Sequence, residues 1–178
     1  MVTIPRSRIK QFLDKSLSNS SSKEKGKALE DLVCYIFEKI PGIEITYRDK
    51  LVLFGSEEID IAIWNNQHPK GFPFLPYTIL IECKNWSGSV GNSEVLVFRD
   101  KLVNRGLTHG FLIAMNGISG NSDSITKAKY TIATALKDGK HIIVITKDDL
   151  AGIRNTGELI SLIKYKLCEL AVTGTTSS

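Results

Sequence analysis

Apolar positions change period several times along the chain, and each change marks an element. From Lys25 to Ile40, Leu29, Leu32, Val33, Ile36, Phe37 and Ile40 recur at steps of three and four. That spacing predicts an amphipathic helix burying one stripe, stopped by Pro41-Gly42. Ile43 to Phe54 and Glu57 to Trp64 are β-rich runs separated by Gly55-Ser56. In the second, Ile59, Ile61 and Ile63 alternate with Glu58, Asp60 and Ala62, which predicts a half-buried hairpin. Asn65 to Pro76 holds three prolines and a glycine and reads as a loop, after which Tyr77 to Lys84 resumes an extended apolar run. Val95, Leu96, Phe98, Leu102 and Val103 predict a helix from about Ser93 to Arg105, closed by Gly106. A strand at Gly110–Met115, a helix at Ser122–Lys137, a strand at His141–Thr146 and a helix at Thr156–Leu170 follow. The order α-β-β-β-α-β-α-β-α implies a three-layer α/β/α fold. Its central mixed sheet starts as a meander and continues through crossover helices.

Composition fits one compact domain: 178 residues, 42% hydrophobic and 24% charged. No apolar run approaches the roughly 18 residues needed to span a bilayer, and the first residues lack a continuous apolar signal segment. Cys34, Cys83 and Cys168 are widely spaced and form neither a disulfide framework nor a CxxC zinc pattern. A soluble, cytoplasmic protein in a reducing compartment is the expectation. The net charge of +4 is mild, but residues 1–27 carry seven cations against Asp14 and Glu24. With the serine-rich stretch Ser16–Ser22, this divides the chain into a basic, partly flexible arm (1–24), a folded domain (25–171) and a disordered tail (172–178).

The chemistry concentrates in YTILIECK. Glu82 and Lys84, two apart on a strand, share one face, while Ile81 and Cys83 take the other. Asp60 lies on the polar side of the preceding hairpin, so two acids and a lysine converge if the strands are neighbours. Two carboxylates suit a hard divalent cation such as Mg²⁺, and a metal beside a lysine can position and activate water. Each residue alone also reads as a solvated acid or a surface ion pair.

Together, GSEEID (Gly55–Asp60), IECKNW (Ile81–Trp86) and their order in the chain resemble the PD-(D/E)XK nuclease superfamily, the restriction-endonuclease-like fold. They are most like its Mrr-type restriction endonucleases, over about Lys25 to Ile153. The resemblance implies a Mg²⁺-dependent DNA endonuclease, with Mn²⁺ able to substitute. In it Asp60 and Glu82 ligate the metal, the Cys83 carbonyl adds a ligand, Lys84 orients the attacking water, and Glu30 stands where a first-helix acid often completes the site. Glu30 belongs equally to an ordinary charged helix flank beside Asp31. Ile59 stands where the motif's proline would be, and the glutamine often found in the helix after the ECK strand is absent.

Arg99, Lys101 and Arg105 on that helix are candidate phosphate contacts or a solvated face. Trp86 could stack on a base or pack at a rim. The 65–76 loop, with His68, Lys70, Phe72 and Phe74, reads as a DNA-probing wedge, a dimer contact or a cover over the sheet edge. The glycines form no P-loop. DNA is the expected partner, with no membrane, and a homodimer or a larger restriction or repair complex remain open. So do two other readings, a Holliday junction resolvase-like nuclease and a non-catalytic nucleic-acid-binding module.

Overall fold

A computed structural model describes residues 1–18, 20–51, 57–118 and 122–176, and the side chains of 122–126 lie outside it. The elements run α1 (Arg6–Ser16), α2 (Ser22–Phe37), β1 (Ile43–Leu51), β2 (Glu58–Asn65), β3 (Thr78–Lys84), α3 (Asn92–Asn104), β4 (His109–Ala114), α4 (Ser122–Lys137), β5 (His141–Ile145), α5 (Lys147–Gly152) and α6 (Thr156–Thr173). The five strands form one sheet in chain order, β1-β2-β3 antiparallel and β3-β4-β5 parallel. This is the α/β architecture that the order of periods implies.

Two apolar layers sandwich the sheet. Ile61, Ile63, Ile79, Ile81, Phe111, Ile113, Ile143 and Ile145 pack on one face with the stripe of α2 and with residues of α1, α5 and α6. Ala62, Leu80, Leu112, Ala114, Ile142 and Val144 pack on the other with α3 and α4. All six stripe residues of the first predicted helix are buried. Gly110 lets α3 lie close on β4, since a Cβ there would sit 2.5 Å from Phe98 Cζ and 3.1 Å from Leu102 Cδ2.

The structure departs from the sequence reading at the ends. Residues 6–16, read as part of a basic arm, form α1 with Ile9 and Leu13 buried. Ile4 is buried as well, its N–H donating to the Arg154 carbonyl at 2.7 Å. Within the serine stretch, Ser21 and Glu24 form a capping box, so α2 begins at Ser22 rather than Lys25. The tail is engaged up to Thr176, whose side chain is buried and accepts the Val144 N–H at 3.4 Å. The 65–76 loop is anchored inward. Asn65 Nδ2 donates to the carbonyls of Phe72, Leu75 and Pro76, and Phe72 and Leu75 are fully buried. Gly55 and Ser56, part of the quoted motif, lie outside the described residues.

Candidate active site

The candidate residues meet at the end of the sheet where β3 finishes and β2 begins. The β2–β3 ladder runs from Trp64–Thr78 to Ile61–Ile81. One step further, the Cys83 N–H donates at 2.7 Å to the Asp60 side chain, Oδ2. Here the strict alternation of the hairpin also breaks, because Ile59 packs in the α3/α4 layer while Ile61 and Ile63 pack in the opposite one. Asp60 therefore sits at an irregularity that turns its carboxylate onto the neighbouring strand.

Glu82 is the centre of the cluster. It is 3% exposed, with Oε1 2.8 Å from Lys84 Nζ and Oε2 2.7 Å from Lys101 Nζ. Lys101 is itself 6% exposed and also donates to the Glu58 carbonyl at 2.7 Å. Burial, then the charge of Glu82, push Asp60 up to about 6 against the Cys83 N–H and the charges of Lys84 and Lys101. Burial pulls Lys84 down, but the charge and hydrogen bond of Glu82, with the charge of Asp60, outweigh it and hold the ammonium above its ordinary value. Lys84 is therefore a cation and a hydrogen-bond donor.

Glu30 faces a different set of neighbours. Its Oε2 lies 3.6 Å from Arg48 Nη2 and has no hydrogen-bond partner, while Arg48 pairs more closely with Asp31 at 2.6 Å. Burial, a hydrogen bond that protonated Glu30 can donate to Asp49, and the charges of Asp49 and Asp60 raise Glu30 to about 8. It thus senses Asp60 without joining the Glu82 cluster. Cys83 packs its side chain against the α2 layer, on the side opposite Glu82.

Lys101, read with Arg99 and Arg105 as a candidate phosphate contact, is instead buried against Glu82. Arg105 is tied to Glu57 at 2.6 Å and to the Lys101 carbonyl at 3.0 Å, and Arg99 lies against Asp100 at 2.7 Å. Trp86 is 47% exposed, its ring 6.0 Å from Lys84 Nζ. The signal that could have found Lys101 was its position three after Phe98 and beside Leu102, on the apolar stripe, where a cation needs an internal partner. Asn85 was passed over too. Its Nδ2 donates to the carbonyls of Ser16 and Lys25, joining the end of α1 to α2 beside the site.

The family profile described as restriction endonuclease, Mrr catalytic type, matches residues 22–153. The chain belongs to that family. It is thereby a member of the PD-(D/E)XK superfamily and a nuclease of restriction-endonuclease type, and its α/β fold with a mixed five-stranded sheet is that of the family. No curated protein matches it. The family match spans every element from α2 to α5, including the strands that carry Asp60, Glu82 and Lys84.

Such nucleases typically use divalent metals, and the donor chemistry here suits one. Asp60 and Glu82 are hard oxygen donors brought together under burial, and the charge of Glu82 raises the Asp60 pKa, a penalty that a cation relieves. Among the described residues no three His, Cys, Asp or Glu side chains converge as a metal-holding group. The side-chain oxygen donors brought together here are those of Asp60 and Glu82.

Proposed function

We propose that this chain is a divalent-metal-dependent endodeoxyribonuclease of the Mrr type, cutting phosphodiester bonds through Asp60, Glu82 and Lys84. The observation that carries the reading is the buried Glu82 carboxylate at the C-terminal end of β3, paired with the Lys84 ammonium and close enough to Asp60 for its charge to raise the Asp60 pKa. Open α/β sheets place ligands beyond the carboxyl ends of their strands, and β3, β4 and β5 all end on this side.

Asp60, Glu82 and the Cys83 carbonyl are the groups that would hold Mg²⁺ or Mn²⁺. When bound, the ion lowers the pKa of a water and neutralises charge developing on the phosphate oxygens. The Cys83 N–H fixes the Asp60 carboxylate, so its orientation is set before substrate arrives. Lys84, more exposed than Lys101, points its ammonium at the cluster and can hold the attacking water or the charge of the pentacovalent phosphate. Trp86, exposed next to Lys84, offers a surface for a base or sugar. Purified Asp60→Ala and Lys84→Ala variants are expected to lose DNA cleavage while keeping their fold and their DNA affinity. Wild-type cleavage rates in either folded variant would overturn the assignment.

A further inference from the structure

We infer that Lys101 is a positioning residue that serves as a fixed internal cation on one oxygen of Glu82, so that the acidic site takes a single divalent ion. The inference deepens the metal-dependent reading above and rests on it.

The two oxygens of Glu82 are not equivalent. Oε1 faces Lys84, whose side chain is 24% exposed and can turn outward. Oε2 faces Lys101, whose side chain is 7% exposed and cannot reach water without leaving the α3 layer. Lys101 is held from several directions. Its ammonium also donates to the Glu58 carbonyl. Its own carbonyl accepts from Arg105 Nη1, and Arg105 Nη2 pairs with the Glu57 carboxylate, so this turn of α3 is clamped to the start of β2. Phe98 and Leu102, on the same helix, are buried close on β4 at Gly110.

The surroundings of the Lys101 ammonium are those of a small hard cation: a carboxylate oxygen and a backbone carbonyl oxygen, each at 2.7 Å. A second dication at Oε2 would have to displace a buried ammonium or sit beside it, and like charges a few ångströms apart in a protein interior repel strongly. Lys84 can yield its oxygen to an ion, whereas Lys101 cannot. The cluster of Asp60, Glu82, Lys84 and Lys101 therefore leaves room for one ion, on the Oε1 side.

The test is calorimetric titration of the full chain with Mn²⁺, which needs no turnover. Wild type is expected to take up one Mn²⁺ per chain, and Asp60→Ala to abolish that uptake. Lys101→Met and Lys101→Gln are expected to gain a second equivalent or to bind the first at least tenfold more tightly, while Lys101→Arg keeps the wild-type count. A purely structural lysine would move the melting temperature in these variants and leave ion count and affinity alone. Two Mn²⁺ on wild type, or wild-type count and affinity in both neutral variants, would overturn the inference. If the neutral variants do not fold, the wild-type count decides, one ion supporting and two refuting. Failure of the metal reading itself looks different: no uptake by wild type, or uptake that survives Asp60→Ala.

Discussion

Replacing Glu82 by alanine tests the energetics of the buried cluster. The substitution strips two ammonium groups of their carboxylate, but their fates differ. Lys84 is 24% exposed at the side chain and can turn to water, so its loss of a partner costs about 1 kcal/mol or less. Lys101 stays buried with only the Glu58 carbonyl as acceptor. Removing one partner of a buried ion pair costs about 3 to 5 kcal/mol, most of it the desolvation of the charge left behind. For a domain stable by roughly 5 to 15 kcal/mol, this is a large fraction. With a urea m value of about 2 kcal/mol/M it moves the midpoint by roughly 2 M. The double variant Glu82→Leu/Lys101→Met removes both charges and replaces them with apolar groups of similar size, and is expected within about 1 kcal/mol of wild type or above it. Urea unfolding followed by circular dichroism reads all three. A single variant within about 1 kcal/mol of wild type, or a double variant as unstable as the single one, would refute the reasoning. The same arithmetic makes Lys84→Ala a cleaner probe of chemistry than Glu82→Ala, since loss of activity in the latter mixes with loss of structure.

Three further outcomes follow from other parts of the molecule. His109 stacks on His141 at 4.3 Å, and burial, then the charge of His141, lower its pKa to about 4. The unfolded ring takes a proton that the folded ring refuses, so stability is complete above about pH 6.5 and is lost as pH falls towards 4. After allowance for solvent screening at a half-buried ring, the loss is about 1 to 2 kcal/mol. His109→Gln should flatten that slope in urea titrations at pH 4.5 and 7, and an unchanged slope would place the effect elsewhere. Asn65→Ala strips a donor from the Phe72, Leu75 and Pro76 carbonyls, of which Leu75 keeps Gln67 Nε2 at 2.8 Å and Phe72 keeps the Leu75 N–H at 3.2 Å, and should cost about 2 to 3 kcal/mol by thermal melting, with Mn²⁺ uptake unchanged. Ile9→Ala should cost about 2 to 5 kcal/mol, because α1 is packed. A change under about 0.5 kcal/mol would instead mean an arm that does not contribute to the fold.

Period changes in the sequence carried the fold well, because each central strand is a short apolar run and each helix has one dense stripe. The stripe of α2 and the runs ILIECK, GFLIAM and HIIVIT all lie where their spacing puts them. The ends were less legible for a physical reason. A run of serines reads as flexible, yet Ser21 followed three residues later by Glu24 is a capping box, and α1 hides Ile9 and Leu13 among lysines and arginines. Glu82 and Lys84 were legible together because strand alternation puts them on one face, and Asp60 through the order of GSEEID and IECKNW, since alternation itself breaks beside it. Lys101 was not, since its role depends on how α3 is laid on the sheet, a tertiary fact set partly by Gly110. Glu30 was legible by its place in the first helix, but the groups that act on it, Asp49 first, then Asp60 and Arg48, depend on how α2 meets β1 and β2.

Metal-dependent cleavage tests the central claim most directly. Wild type and Lys84→Ala would be incubated with plasmid, linear duplex, single-stranded and four-way-junction DNA in Mg²⁺ or Mn²⁺, with EDTA as control, and single-turnover rates measured. Cleavage by wild type that EDTA abolishes, and that Lys84→Ala slows by about 10² or more with its circular dichroism spectrum unchanged, is the expected result. Cleavage that persists in EDTA, or that Lys84→Ala leaves at the wild-type rate, would contradict the assignment of Asp60, Glu82 and Lys84 as the site of phosphodiester hydrolysis.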